Sequence, residues 1–374
     1  MRVLAFAASV ALLLIVPSAA ATPRGLKLVV RDGNRISLLA NGQARKLPAA
    51  PYRELAFSGD GRLVSIGGWI VGHAKLPTQR LVWAPTGERA AYVTTQGAVV
   101  EWTPRGKRRI EPNGWGADWG LAWSTDGALA VSRGNTLWVL KGGSAHRLVG
   151  PLSPNTGTGG PDIPIPFAWV GDHVLWWRWP GSGSVAADGI ALYEDATELG
   201  TTLMYPDYAA VCGTHVAFVE GHDRESTDNK KILFDGRDVS GSVRRSWSTP
   251  ACSASGRLVA SASRNDPNAF RRPHRAIRQL LPTPKQLTRP PWGWSDEDPR
   301  LLPDGSLLFV RSRIASKRDD NTWLDTQTGR IMLLAHGKLT QVAQIGYRNL
   351  DEQTSYLGPY YGHFDWTQFL AVAP

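Results

Sequence analysis

The chain has 374 residues and a formal net charge of +10, enough length for a sizeable buried core. Its 39 Gly and 26 Pro supply many turns and its 16 Trp suit pleated, half-buried surfaces; no helical period of useful length follows residue 22, which excludes a helix bundle. Beyond the N-terminus no apolar stretch is long enough to span a bilayer, which excludes a helical membrane protein.

Residues 1–21 read as a secretory signal peptide. Met1-Arg2 is a short positive start, 3–16 is an apolar run, Pro17 breaks it, and Ser18-Ala19-Ala20-Ala21-Thr22 supplies a small-residue cleavage site. The run is short for a membrane span, no Cys follows it to take a lipid, and no Arg-Arg pair precedes it. The mature chain is expected to begin near Ala21 or Thr22, to be soluble, and to be secreted or held in the cell envelope. A retained N-terminal anchor, which would make the chain a sensor ectodomain, is the alternative. Export makes nucleic acid a poor partner. The basic clusters at 105–109, 271–275 and 317–318 suit anionic envelope polymers, or else are solvated loops that keep the chain soluble.

From residue 26 the sequence is a succession of short strands. Residues 26–48 read as the outer strands of a unit with no first strand of its own. A phrase then recurs seven times: an apolar residue, a small one and an aromatic, followed by a tight turn and an apolar strand. Its aromatic position falls at Phe57, Trp83, Trp123, Trp169, Cys212, Cys252 and Leu301, with gaps of 26, 40, 46, 43, 40 and 49 residues. Strand-turn-strand units at a period of 40–50 residues predict a β-propeller of four-stranded antiparallel blades. The clearest copy has strands at 121–124, 128–132, 136–141 and 146–149. Further third strands are expected at 98–102, 190–193, 232–234 and 276–281, and fourth strands at 45–47, 107–110 and 285–288. Segments 152–166, 223–230, 264–275 and 314–321 read as long polar loops. Near the end, 330–337 (Arg-Ile-Met-Leu-Leu-Ala-His-Gly) resembles 35–42 (Arg-Ile-Ser-Leu-Leu-Ala-Asn-Gly), and 364–372 reads as a spare inner strand. Joining that strand to 26–48 would place both chain ends in one blade and remove two sheet edges. Seven blades are expected, within a range of six to eight, forming one domain over 22–374.

Cys212 and Cys252 are the only cysteines. Both replace the aromatic, in consecutive copies, which sets them at matching heights on neighbouring inner strands. An exported chain keeps disulfides, so a bridge is expected, the alternative being two buried thiols.

The sequence shows no catalytic constellation. There is no G-x-S-x-G elbow, no H-E-x-x-H, no paired C-x-x-C and no P-loop. The acidic run 223–228 lacks the Gly and closing Glu of a calcium loop. No catalytic residue, metal ligand or cofactor is therefore assigned. His173 and His215 read as turn residues. One pattern is more suggestive: acids recur just before the inner strands, at Asp118, Asp162, Asp207 and 296–298. Two of these places share a Trp-Gly motif, which singles out Trp115, Asp118, Trp119, Trp292, Trp294, Asp296 and Asp298 as candidate ligand contacts. Carboxylates beside aromatic faces suit a cation, a sugar or a basic peptide. The competing assignment has the acids capping turns and the rings filling gaps between blades.

The stretch Pro284-Lys285-Gln286-Leu287-Thr288, the segment 294–298 and Leu302-Pro303-Asp304-Gly305 followed by an apolar strand resemble the WD40-like repeat of TolB-type propellers. The copies around Trp83 and Trp123 match it well, while those around Trp169, Cys212 and Cys252 have lost the aromatic, the Pro-Asp-Gly, or both. The resemblance covers most of 26–345 and implies an exported propeller that binds proteins or other ligands. It carries no catalytic residue. The expected function is non-enzymatic binding or scaffolding by a monomer, with one face of the ring recognising a protein or an envelope polymer. An enzyme with its site in the channel, a metal-dependent hydrolase or lactonase or a polysaccharide lyase, is the alternative.

Overall fold

The structure, a computed structural model, describes residues 25–73, 75–78, 80–111, 117, 120–153, 161–180, 189–202, 207–221, 230–241, 245–264, 274–313, 328–346 and 365–374. The signal segment, the loops expected at 223–230 and 314–321 apart from Lys230, most of the loop at 264–275, and Trp115, Asp118 and Trp119 lie outside these residues.

The described chain is a series of antiparallel meanders. Strands β1 (Lys27–Asp32), β2 (Arg35–Ala40) and β3 (Gln43–Leu47) come first, then a three-stranded sheet of β4 (Leu55–Phe57), β5 (Val64–Ile66) and β6 (Trp69–Ile70). Four-stranded sheets follow: β7 (Val82–Trp83), β8 (Ala90–Val93), β9 (Val99–Thr103), β10 (Gly106–Arg109); β11 (Leu121–Trp123), β12 (Leu129–Arg133), β13 (Thr136–Lys141), β14 (Ser144–Val149); β15 (Ile163–Val170), β16 (His173–Trp179), β17 (Ile190–Glu194), β18 (Thr197–Thr202). Next come β19 (Ala209–Cys212), β20 (His215–Glu220), β21 (Lys231–Phe234), β22 (Arg237–Asp238), and then β23 (Arg245–Cys252), β24 (Leu258–Arg264), β25 (Ala276–Leu281), β26 (Lys285–Gln286). The last meander is β27 (Trp294–Leu301), β28 (Leu307–Arg313), β29 (Thr328–Ala335) and β30 (Lys338–Gly346), and β31 (Leu370–Val372) ends the chain. Strands β27–β30 and β1–β3 form one eight-stranded sheet with β31, yet β30 meets β1 through a single residue pair, Asp32 with Gly346.

First strands pack on first strands. β7 contacts β11, β11 contacts β15, β15 contacts β19, β19 contacts β23 and β23 contacts β27. This radial repetition of meanders is a β-propeller. Apolar clusters bridge neighbouring meanders, as where Ala84, Ala91 and Val99 meet Leu121, Trp123, Leu129 and Val131. Burial of one such Leu or Val side chain contributes roughly 1.5–3 kcal/mol, so the sheets hold one another rather than standing alone.

The aromatic of the repeated phrase is an inter-sheet tie. Trp123 Nε1 donates to the carbonyl of Val82 (3.2 Å), the residue before Trp83. Trp169 Nε1 donates to the carbonyl of Ala122 (2.8 Å), the residue before Trp123. Trp83 Nε1 reaches Ser65 Oγ on β5 at 2.9 Å. Where cysteine takes the position, Cys212 and Cys252 form a disulfide that joins β19 to β23, their Cα atoms 5.6 Å apart.

The chain ends share a sheet. β31 pairs antiparallel with β1 in the register Leu28–Val372, Val29–Ala371 and Val30–Leu370. Among the described residues of the expected inner strand, 370–372 are extended. Before them, Trp366–Gln368 forms a 3-10 turn, because Asp365 accepts the backbone N–H of Thr367 and caps it. Trp366 Nε1 then donates to Glu297 Oε2 (3.2 Å) on β27, and β31 contacts β4. Arg31 reinforces the join. Its guanidinium is fully buried and donates to the carbonyls of Gln368 (3.0 Å), Ala50 (2.8 Å) and Pro51 (2.9 Å). Burial pulls its pKa down to about 10, so it stays charged at neutral pH.

Other boundaries move in small ways. The segment 163–166, expected in a loop, is the start of β15, where Ile163–Pro166 pair with Trp176–Trp179. The short repeat around Phe57 makes three strands and an isolated bridge between Trp69 and Lys75, because 26 residues do not hold a fourth strand. The resemblance of 330–337 to 35–42 has a common cause. β2 and β29 are third strands, and Asn41-Gly42 and His336-Gly337 are hairpin turns with positive φ at both residues (51° and 76°, 49° and 75°).

Candidate functional site

In an up-and-down meander the segment leading into the first strand and the loop between the second and third strands lie at the same end. The lead-ins to β7, β11 and β27 and the β8–β9 loop therefore share one face. On it stand Trp292 and Trp294, and beside it a cleft.

Pro291 accepts the N–H of Trp294 (3.0 Å) in a turn with Gly293 at φ +78°, which leaves Trp292 at the tip. Trp292 is 96% exposed, with the His274 ring 6.5 Å from its own. Trp294 is half-buried and carries the Arg330 guanidinium over its face at 4.5 Å. The acids behind it point inward. Asp296 is fully buried and accepts both arms of Arg311, at 2.6 and 2.9 Å. Burial pushes its carboxyl up, against the pull of Arg311. Glu297 accepts Ser312 Oγ (3.4 Å) and the Trp366 indole, with Arg275 at 3.7 Å. Asp298 is buried at φ +49° and binds Arg300 at 2.8 and 3.1 Å. The structure thus places Trp292 and Trp294 outward and partly outward, and Asp296 and Asp298 inside an arginine network beneath them. Asp162, also before an inner strand, is buried against Arg178 at 2.6 Å.

The cleft, of about 570 Å³, is lined by Pro77, Thr78, Arg80, Val82, Val93, Thr94, Thr95, Gly97, Ala117 and Leu121. At its rim Arg80 Nε lies 3.3 Å from Glu54 Oε2, with 58% and 39% of the two side chains exposed. Glu54 is surrounded by protein yet partly open. Burial raises its pKa, Arg80 opposes that, and the nearby Asp365 carboxylate adds to it. Sequence reasoning missed this pair. A signal existed: Glu54 and Arg80 each stand three residues before the aromatic position of consecutive copies, Phe57 and Trp83.

On the opposite face the two histidines do more than fill turns. His173 Nδ1 meets Asp195 Oδ2 at 2.6 Å and His215 Nδ1 meets Asp235 Oδ2 at 2.7 Å. Each aspartate sits at a positive-φ position (48°) of the hairpin between the third and fourth strands. Its other oxygen accepts a backbone N–H, of Val174 (2.8 Å) or Val216 (2.9 Å). The preceding sheet has an equivalent ion pair of Asp126 and Lys141. Hydrogen bonds from Lys141 and Ser124 hold the Asp126 carboxyl well below the usual range. Among the described residues no group of three or more His, Cys, Asp or Glu side chains gathers in a way that would hold a metal ion.

No protein-family profile matches the sequence, and no curated protein is similar to it. Solved structures do resemble its backbone. The acylaminoacyl peptidase of Pyrococcus horikoshii aligns with 85% of this chain at 10% identity and a TM-score of 0.43, and the aligned part is 52% of that enzyme. The chain thus spans about half the length of that protein. The β-propeller domain of the Trilobed protease from Pyrococcus furiosus aligns with 86% of this chain and 97% of its own length, at 10% identity and a TM-score of 0.41. Virginiamycin B lyase from Staphylococcus aureus aligns with 64% of this chain and 89% of its own, at 15% identity and a TM-score of 0.37.

Proposed function

We propose that this propeller is an exported, non-enzymatic recognition protein that takes a protein or an envelope polymer on the face carrying the first-strand lead-ins. The observation that carries the reading is Trp292: among the described tryptophans it stands 96% exposed at the tip of a turn. A tryptophan in water offers stacking area that folding does not require, and tryptophan is enriched among residues that dominate binding energy. Asp296 and Asp298 lie on β27 beyond that turn and are paired with Arg311 and Arg300. The likeness of the repeated phrase to TolB-type repeats supports a binding role. The disulfide supports a location outside the cytoplasm, as does the signal-like N-terminus.

The test is the binding of the mature chain and of Trp292→Ala to the isolated cell-envelope fraction, before and after protease digestion of that fraction. Saturable binding that weakens about tenfold or more in the variant, at an unchanged melting temperature, is expected. Sensitivity to protease identifies a protein ligand, and resistance a polymer. Equal binding by the two chains, or none by either, overturns the reading.

A further inference from the structure

We infer that the cleft between β7 and the β8–β9 loop is a second binding site, for a ligand that carries one carboxylate on an aliphatic body. It lies on a different sheet from Trp292 and does not depend on that surface having a ligand.

The chemistry follows from the walls. A volume of about 570 Å³ is within the usual range of small-ligand pockets. Leu121 and Ala117 are buried, and Val82 and Val93 are left half-covered, so branched aliphatic surface stays open to water there. Among the described lining residues none is aromatic and one is charged, Arg80. Val82 and Val93 offer aliphatic surface, and the Arg80 guanidinium can take one carboxylate through two parallel bonds. A carboxylate on an aliphatic chain matches both.

Arg80 is prepared for that task. Thr78 Oγ1 donates to the Arg80 carbonyl (2.7 Å) and accepts the Arg80 N–H (3.3 Å), which fixes the backbone at the rim. Glu54 Oε2 lies 3.3 Å from the guanidinium Nε, a longer contact than that of Asp296 with Arg311. A guanidinium has five N–H donors and binds a carboxylate best through two parallel bonds. An incoming carboxylate therefore gains a better partner than Glu54 is, and must compete with it. Two sources share this chemistry: the C-terminus of a peptide ending in an aliphatic residue, and a free short-chain acid.

Calorimetric titration of the mature chain with three probes tests the site: an acetylated tripeptide ending in leucine with a free carboxylate, the same peptide as its C-terminal amide, and 4-methylpentanoate. Saturable binding of at least one of the two acids is expected, with the amide about tenfold weaker than the peptide acid when that peptide is the ligand. Tighter binding of the peptide acid than of 4-methylpentanoate identifies a chain end, and the reverse a free acid. Arg80→Gln should lose about tenfold or more, and Glu54→Gln should gain severalfold because the competing carboxylate is gone. Arg80→Lys, which keeps the charge and loses the fork, should fall between, and it provides the second reading should Arg80→Gln fold poorly. The inference is overturned by no saturable binding of either acid up to about 10 mM, by saturable binding of the peptide acid that its amide equals, or by Arg80 and Glu54 variants that bind as the wild type does.

Discussion

Trp123, buried, and Trp169, half-buried, each direct an indole N–H to a carbonyl of the preceding sheet, and a disulfide occupies the equivalent position in the pair Cys212 and Cys252. The bridge closes a segment with a sequence separation of 40, which in the chain-entropy account contributes roughly 2–4 kcal/mol. The double variant Cys212→Ser, Cys252→Ser should lose that much unfolding free energy and so unfold at a lower urea concentration, and coincident transitions would rule the contribution out. His173 gives a pH signature. Its hydrogen bond to Asp195, and that carboxylate's charge, raise its pKa above the usual 6.5. A raised folded value means the pair stabilises fully below the unfolded pKa and loses the effect as pH rises through the folded one. The melting-temperature gap between wild type and His173→Gln should thus be larger at about pH 5.5 than at about pH 8.5. A gap that is constant, or that widens with pH, contradicts the pairing. The effect is small, because His173 is 60% exposed.

Turns decide how neighbouring elements meet. The turn after β4 lies against the turn after β7 so closely that a Cβ on Gly59 would stand 2.4 Å from the Pro85 carbonyl carbon and the Thr86 nitrogen. Both are backbone atoms and cannot swing aside. Gly59→Ala should cost about 1–3 kcal/mol through forced separation of two sheets. Gly87→Ala, at φ +69° with nothing near its Cβ, should cost about 1 kcal/mol through backbone strain alone. Thermal unfolding of the two variants measures the difference, and equal losses would show that the close approach is not restrictive. The outermost strands follow another rule. β10 (Gly-Lys-Arg-Arg) is exposed along its whole length, and β3 is exposed from Gln43 to Lys46. Charge on an open edge discourages pairing with a second chain, which accounts for part of the basic excess without invoking a ligand.

At the scale of the whole molecule the C-terminal segment is the fastening. Trp366, Phe369 and Leu370 belong to one apolar cluster with Leu28 and Val30 of β1 and with Leu308, Val310, Ile331 and Leu333 of the last meander. Arg31 binds carbonyls on both sides of that join. Deleting 362–374 strips the cluster, bares the edge of β1 and leaves Arg31 a buried cation short of an acceptor. The truncated chain should lose its sharp thermal transition for the whole domain and not for one sheet. A truncated protein that melts as the full chain does would show that the C-terminal strand is dispensable.

The local pattern determined a good deal on its own. The recurring phrase is legible because each inner strand sets a side chain against the neighbouring sheet and then turns, and a requirement repeated in space leaves a repeat in the sequence. The same logic placed Cys212 beside Cys252 and the last strand beside β1, since edges left open at both ends of a sheet series satisfy one another. The direction of individual side chains was not legible. Asp296 and Asp298 carry the same letters whether they face water or Arg311 and Arg300, and it is the pairing of β27 with β28 that sets Asp296 opposite Arg311. Glu54 and Arg80 lie 26 residues apart, and nothing local says that two sheets bring them together. Strand identity follows from a two-residue period, whereas a cleft is the space between elements, and its chemistry exists only after they have been assembled.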